Sequence, residues 1–122
     1  MPYSEKLAKR IRKAIEHLPM EEKKMFGSLA FMVNGKMCLT AGNGRMMCRI
    51  DPKLHKQEVN RDGCSTVIMK GREYKGFIHI KEENLKNKKD FDHWVNLALD
   101  FNKELIKGDK KLRNDNNAIK KK

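Results

Sequence analysis

Leu7, Ile11, Ala14, Ile15 and Leu18 recur at three- and four-residue spacing with lysines and arginines between them. That spacing predicts an amphipathic helix over residues 4–17, capped by Ser4, favoured by Glu5 in its first turn and ended by Pro19. From residue 24 to 50 the period changes. Asn34-Gly35 is a two-residue hairpin signal, because a type I′ turn needs positive φ at both central positions, and Gly42-Asn43-Gly44 marks a second turn. A three-stranded meander follows. With two-residue loops at Asn34-Gly35 and Asn43-Gly44, Met32 faces Met37, Ala30 faces Leu39 and Leu39 faces Cys48. Alternation then puts Ala30, Met32, Met37, Leu39, Ala41, Met46, Cys48 and Ile50 on one apolar face that should meet the helices. The outer face would carry Leu29, Phe31, Val33, Lys36, Cys38, Thr40, Arg45, Met47 and Arg49.

Asp51-Pro52 is a cap followed by a first-turn proline and predicts a short helix to about residue 59. Two more strands are expected at 65–69 and 77–80, joined by a polar loop that holds Gly71, Arg72, Lys75 and Gly76. A last helix is expected over 89–106, with Phe91, Trp94, Val95, Ala98, Phe101 and Leu105 on its apolar stripe and Gly108 as its stop. The order helix, three strands, short helix, two strands, helix predicts an α+β fold: an antiparallel sheet of about five strands packed against the N- and C-terminal helices. The expected organisation is a folded domain over residues 1–106 and a basic, disordered tail over 107–122.

Charge sharpens this picture. The formal net charge is +12. Residues 107–122 hold seven basic side chains against Asp109 and Asp115, which leaves 21 basic and 14 acidic residues in 1–106, so the folded part is basic as well. Such an excess draws nucleic acid or acidic protein surfaces, and it also keeps a small domain soluble. No apolar run approaches the ~20 residues that span a bilayer, and the N-terminus lacks the apolar stretch of a secretory signal, so no membrane partner and a cytoplasmic location are expected. Three cysteines, an odd number, fit free thiols better than a disulfide framework.

Catalytic chemistry finds little purchase. There is no nucleophile elbow, no C-x-x-C pair and no phosphate-binding glycine pattern, and His17, His55, His79 and His93 are scattered. No catalytic residue, metal or cofactor is expected. A candidate binding surface is easier to find: Leu29, Phe31, Lys36, Arg45, Met47 and Arg49 on the outer sheet face, with Arg72 and Lys75 in the following loop. Two arrangements fit that face. Basic side chains around Phe31 could hold phosphates and stack a base, or another element or second subunit could cover Leu29, Phe31 and Val33 with the arginines at its rim.

The stretch Lys23-Lys24-Met25-Phe26-Gly27-Ser28-Leu29-Ala30-Phe31-Met32-Val33-Asn34-Gly35-Lys36-Met37 resembles the signature of the N-terminal domain of the TfoX/Sxy competence regulators. So do the opening around Tyr3, Ser4-Glu5-Lys6-Leu7-Ala8 and Arg10-Ile11-Arg12, and Lys75-Gly76-Phe77-Ile78-His79-Ile80 after the Gly71-Arg72 turn. The similarity runs from about residue 3 to 106. Ser28 stands where the family has a second glycine, and a basic tail stands where the regulators carry a C-terminal domain, so the chain resembles a stand-alone member. The resemblance implies a two-layer α+β sandwich similar to secretion-chaperone-like folds and a non-enzymatic regulatory role. The expected partner is a protein or a second copy of the chain, with nucleic acid as the alternative.

Overall fold

In the computed structural model, residues 3–25 and 27–120 are described, with side chains described to residue 108. Helix α1 (Glu5–Ile15) starts at Ser4, whose Oγ accepts the Leu7 N–H, and buries Leu7, Ala8, Ile11 and Ile15. Six strands follow: β1 (Met20–Met25), β2 (Ser28–Val33), β3 (Lys36–Ala41), β4 (Arg45–Arg49), β5 (Cys64–Met69) and β6 (Arg72–Lys81). They form one antiparallel sheet in the order β1-β2-β3-β4-β6-β5. Between β4 and β5, Asp51 caps a 3-10 turn over Pro52–Leu54, which runs into α2 (His55–Glu58). Helix α3 (Lys88–Lys120) closes the chain. No helix is long and apolar enough to cross a membrane among the described residues.

Strand β1 was not expected. Its sequence, Met-Glu-Glu-Lys-Lys-Met, has no apolar alternation and is almost wholly exposed, because it is an edge strand with little to bury. A bidentate ion pair from Arg12 to Glu22, at 2.6 and 2.7 Å, fastens it to α1; the Arg12 guanidinium holds the Glu22 carboxyl below its usual range. The loop expected at 70–76 is also mostly strand. Lys70 and Gly71 both take positive φ and make a two-residue turn, after which β6 starts at Arg72. Helix α3 continues past Gly108, which keeps helical backbone instead of the left-handed conformation that ends helices. Side chains of the expected tail after residue 108 lie outside the described residues, as do Met1, Pro2 and Phe26.

The principal correction concerns the faces of β2. Met32 pairs with Met37 as the Asn34-Gly35 turn demands, and both turn residues have positive φ. Beyond that pair the register shifts: Phe31 pairs with Leu39, Ala30 with Thr40 and Leu29 with Ala41, leaving Cys38 as one extra residue on β3. A bulge of one residue reverses the phase of everything past it. Leu29, Phe31 and Val33 therefore join Leu39, Ala41, Met46, Cys48 and Ile50 in the core, and Cys38 joins Cys48 there instead of facing outward. Phe31 is fully buried. Ala30, Met32 and Met37, expected in the core, go to the other face.

A second irregularity bends the far side of the sheet. Thr66 pairs with Ile78 but Val67 pairs with Tyr74, so residues 75–77 are extra on β6. Gly76 sits at the bend with φ 89°, and an added Cβ would lie 2.8 Å from the Ile50 carbonyl oxygen. Its carbonyl accepts the Ile50 N–H at 2.7 Å and its own N–H donates to His55 Nδ1 at 2.8 Å. His55 Nδ1 is thus an acceptor, so Nε2 carries the proton and donates to Thr66 Oγ1 at 2.8 Å. Burial lowers the His55 pKa, which keeps the imidazole in the neutral form these two bonds need.

Helices α1 and α3 pack on the core face, against β3 and β4. Asn102 of α3 is buried; its Nδ2 donates to the Val33 carbonyl at 2.9 Å and its Oδ1 accepts from Asn34 Nδ2 at 3.2 Å, which locks the β2–β3 hairpin to the helix layer. Leu39 is fully buried at the centre of this packing. Leu39→Asp should destabilise the domain by more than about 3 kcal/mol, because it strands an unpaired charge in the core. Circular dichroism melting checks this; a mutant that melts within a few degrees of wild type would contradict the core assignment.

The open face of the sheet as candidate functional site

The face away from the helices is a groove of about 340 Å³. A registered row of side chains crosses it: Lys23 opposite Ala30, Ala30 opposite Thr40, Thr40 opposite Met47, Met47 opposite His79 and His79 opposite Ser65. Met25 and Met37 flank this row, Val67, Ile68 and Met69 of β5 form one wall, and Arg45 lies at one end. The break in β5–β6 pairing falls between Thr66 and Val67, so this wall lies just beyond it. Among the described residues the exposed large apolar side chains are Met25 (39% exposed), Ile68 (60%) and Met69 (53%), and all three border the groove.

Polar chemistry in the groove is sparse and specific. Thr40 Oγ1 is buried and has no hydrogen-bond partner among the described residues. A hydroxyl left so costs about 1–3 kcal/mol relative to a satisfied one. His79 is half-buried, and burial, assisted by the Arg45 charge, lowers its pKa. It therefore presents a neutral imidazole, one donor and one acceptor, at physiological pH. Arg45 is exposed and pairs across the sheet with Lys81, which makes this end of the groove basic.

A family model described as the TfoX N-terminal domain matches residues 5–102. The chain belongs to the TfoX N-terminal domain family. Neither the search of curated proteins nor the search of solved structures returned a match. The matched span runs from the start of α1 to Asn102, the α3 residue that bonds the Asn34-Gly35 hairpin. The TfoX signature stretch thus maps onto β1, β2 and the β2–β3 turn, and its Lys75-Gly76-Phe77 segment is the bend in β6.

The surface residues expected from the sequence do not come together. Arg45 and Met47 line the groove. Leu29 and Phe31 are in the core, because the Cys38 bulge turns them there. Lys36 opposes Val33 beside the hairpin turn. The Arg49 guanidinium lies 5.5 Å from the Phe77 ring and 5.9 Å from the Phe101 ring, so it packs on α3. Arg72 and Lys75 are exposed on β6. Thr40, expected on the outer face but not named as a candidate, follows from the β3–β4 pairing alone, whereas Met25, Ile68 and Met69 needed the edge strand and the bend.

Two other polar clusters hold the fold together. Glu58 is buried; desolvation pushes its pKa up, but hydrogen bonds from His93 (2.7 Å), Gln57 (3.0 Å) and Arg61 (2.7 Å) outweigh that and hold it below the usual range. His93 thereby ties α3 to α2. The cleft among Lys6, Arg10, Glu82, Glu83 and Lys86 mixes both signs of charge. Arg10 there donates to the Leu85 carbonyl and covers the Phe91 ring at 4.2 Å, and Glu82 accepts from Ser4 Oγ. Among the described residues no three His, Cys, Asp or Glu side chains group as metal ligands.

Arg45→Ala should raise the His79 pKa, since it removes a positive charge that disfavours the imidazolium, but leave it below the ordinary 6.5 because the burial persists. A proton NMR titration of the imidazole reads this directly. An unchanged His79 pKa in the variant would separate Arg45 from the groove.

Proposed function

We propose that this TfoX N-terminal domain is a non-enzymatic regulatory module that receives a protein partner on the open face of its sheet. The observation that carries the reading is the collection of the exposed large apolar side chains around one groove, since exposed apolar side chains gathered at one place mark protein contact sites. Methionine side chains suit such a surface because they repack to fit irregular partners. Lys23, Arg45 and Lys81 in the face's cross-strand rows favour an acidic partner. The regulatory role is the one for which the TfoX/Sxy competence regulators are known, and transcription control is the setting we propose. The odd number of free thiols supports a cytoplasmic location. Residues 1–106 are read as the binding domain and 107–122 as a basic extension that adds long-range attraction.

The non-enzymatic reading is supported by how the groove's titratable groups stand. Cys64 pairs with Ile80 and packs against the core, while His79 faces the groove opposite Ser65, so no thiol meets this imidazole. Burial further raises the pKa of Cys64 to about 11 and of Cys38 to about 12, and both are poor nucleophiles at neutral pH. The second reading, a sequence-tolerant nucleic-acid binder, is favoured by the net charge of +12. Its stacking platform would rest on His79 alone, since no Phe, Tyr or Trp is among the described residues that line the groove.

Affinity capture after nuclease treatment separates the two. The comparison is between wild type, the groove variant Arg45→Glu/Met47→Asp, and Lys9→Glu on the exposed side of α1. A protein held by wild type and Lys9→Glu and weakened about tenfold or more by the groove variant is the expected result. Capture abolished by nuclease, or indifferent to the groove variant, would overturn the reading.

A further inference from the structure

The two edges of the sheet are built differently. Edge strand β1 carries Glu21, Glu22, Lys23 and Lys24 among its six residues, and Glu22 is ion-paired to Arg12. Charges of this kind guard an edge against pairing with another strand. Edge strand β5 is Cys-Ser-Thr-Val-Ile-Met, with no charge and no proline, three β-branched residues in a row, and Ile68 and Met69 more than half exposed. It hydrogen-bonds only to β6 in this sheet, so its outer row of backbone groups is open to a further strand.

We propose that β5 pairs with β5 of a second copy of this chain, antiparallel about a two-fold axis, to join the two sheets into one. This goes beyond the groove reading and rests on the composition of the edge. Residues opposite each other in an antiparallel pair share a face, which allows only registers centred on a residue. The register centred on Thr66 sets Val67 opposite Ser65 of the second copy and Ile68 opposite Cys64 of the second copy. It also brings Lys70, just past the end of β5, level with Asp62 of the second copy, just before its start. Both are exposed, and the two-fold axis makes that pair of opposite charges twice. Strand pairing is thereby combined with charge complementarity in a chain whose net charge of +12 otherwise opposes self-contact. A single register satisfies the face rule, covers Ile68 and matches Asp62 to Lys70.

Analytical ultracentrifugation of the full chain over a range of concentrations tests this. The expected result is a concentration-dependent monomer–dimer equilibrium, and loss of the dimer in Ile68→Lys with the melting temperature of the monomer at low concentration unchanged. A monomer at every concentration, or a dimer that survives Ile68→Lys, would overturn it. Ile68→Cys supplies an independent reading. Within one chain, positions 64 and 68 of an extended strand are about 13 Å apart, too far for a disulfide. In the Thr66-centred pair they lie opposite each other, so mild oxidation should give a covalent dimer linked Cys64–residue 68. Its absence would overturn the proposal even where Ile68→Lys fails to fold. Because Met47 and Arg45 are on β4, with β6 between them and the outer edge of β5, the groove variant should leave the dimer intact, which keeps failure here distinct from failure of partner docking.

Discussion

One extra residue in β3 decides which side of this molecule is inside. Between the hairpin turn and Met32–Met37 the pairing is regular; past Cys38 every β2 side chain has changed face relative to a continuous ladder. The choice is enforced by packing. The bulged register buries Leu29, Phe31 and Val33 beneath the helices, and each such side chain contributes roughly 1.5–3 kcal/mol when fully removed from water. The unbulged register would offer Ala30 and Met32 to the same space and leave Phe31 in solvent. Asn102 then fixes the choice from the helix side by bonding both Val33 and Asn34.

The open face is the complement of that decision. Ala30, Thr40 and Met47 are where they are because Phe31, Leu39, Met46 and Cys48 are inward. The far wall lies just beyond the break in β5–β6 pairing. His55, kept neutral by burial, accepts the Gly76 N–H and donates to Thr66, so a side chain from α2 holds both strands of the β5–β6 hairpin where the ladder is interrupted. A shallow groove with a methionine floor results from two local departures from regular pairing, each anchored by a polar side chain from the helix layer.

The sequence made much of this legible. The α1 stripe, the Ser4 and Asp51 caps, the Asn34-Gly35 turn, the β3–β4 register and the α+β class follow from periodicity and turn chemistry, and the structure has them. The Cys38 bulge left no mark in the sequence, because both phases of β2 are apolar: Leu29, Phe31 and Val33 compete with Ala30 and Met32, and only the tertiary fit to α1 and α3 separates them. Strand β1 was hidden by its charges, and the first half of β6 by its polar residues around Gly71 and Gly76. The candidate surface suffered accordingly. Arg45 and Met47 were placed by the intact register, while the extra residue at Cys38 puts Leu29 and Phe31 on the side opposite to the expected one.

The methionines report on both faces of the sheet. Methyl-labelled methionine in the folded monomer, held at low concentration with a soluble paramagnetic probe, reads each side chain separately by NMR. Met25, Met37, Met47 and Met69 should broaden, with Met25 and Met69 the most affected, while the fully buried Met46 should not. Met46 broadening as strongly as Met47, or Met37 as protected as Met46, would contradict the bulged register and the groove built on it.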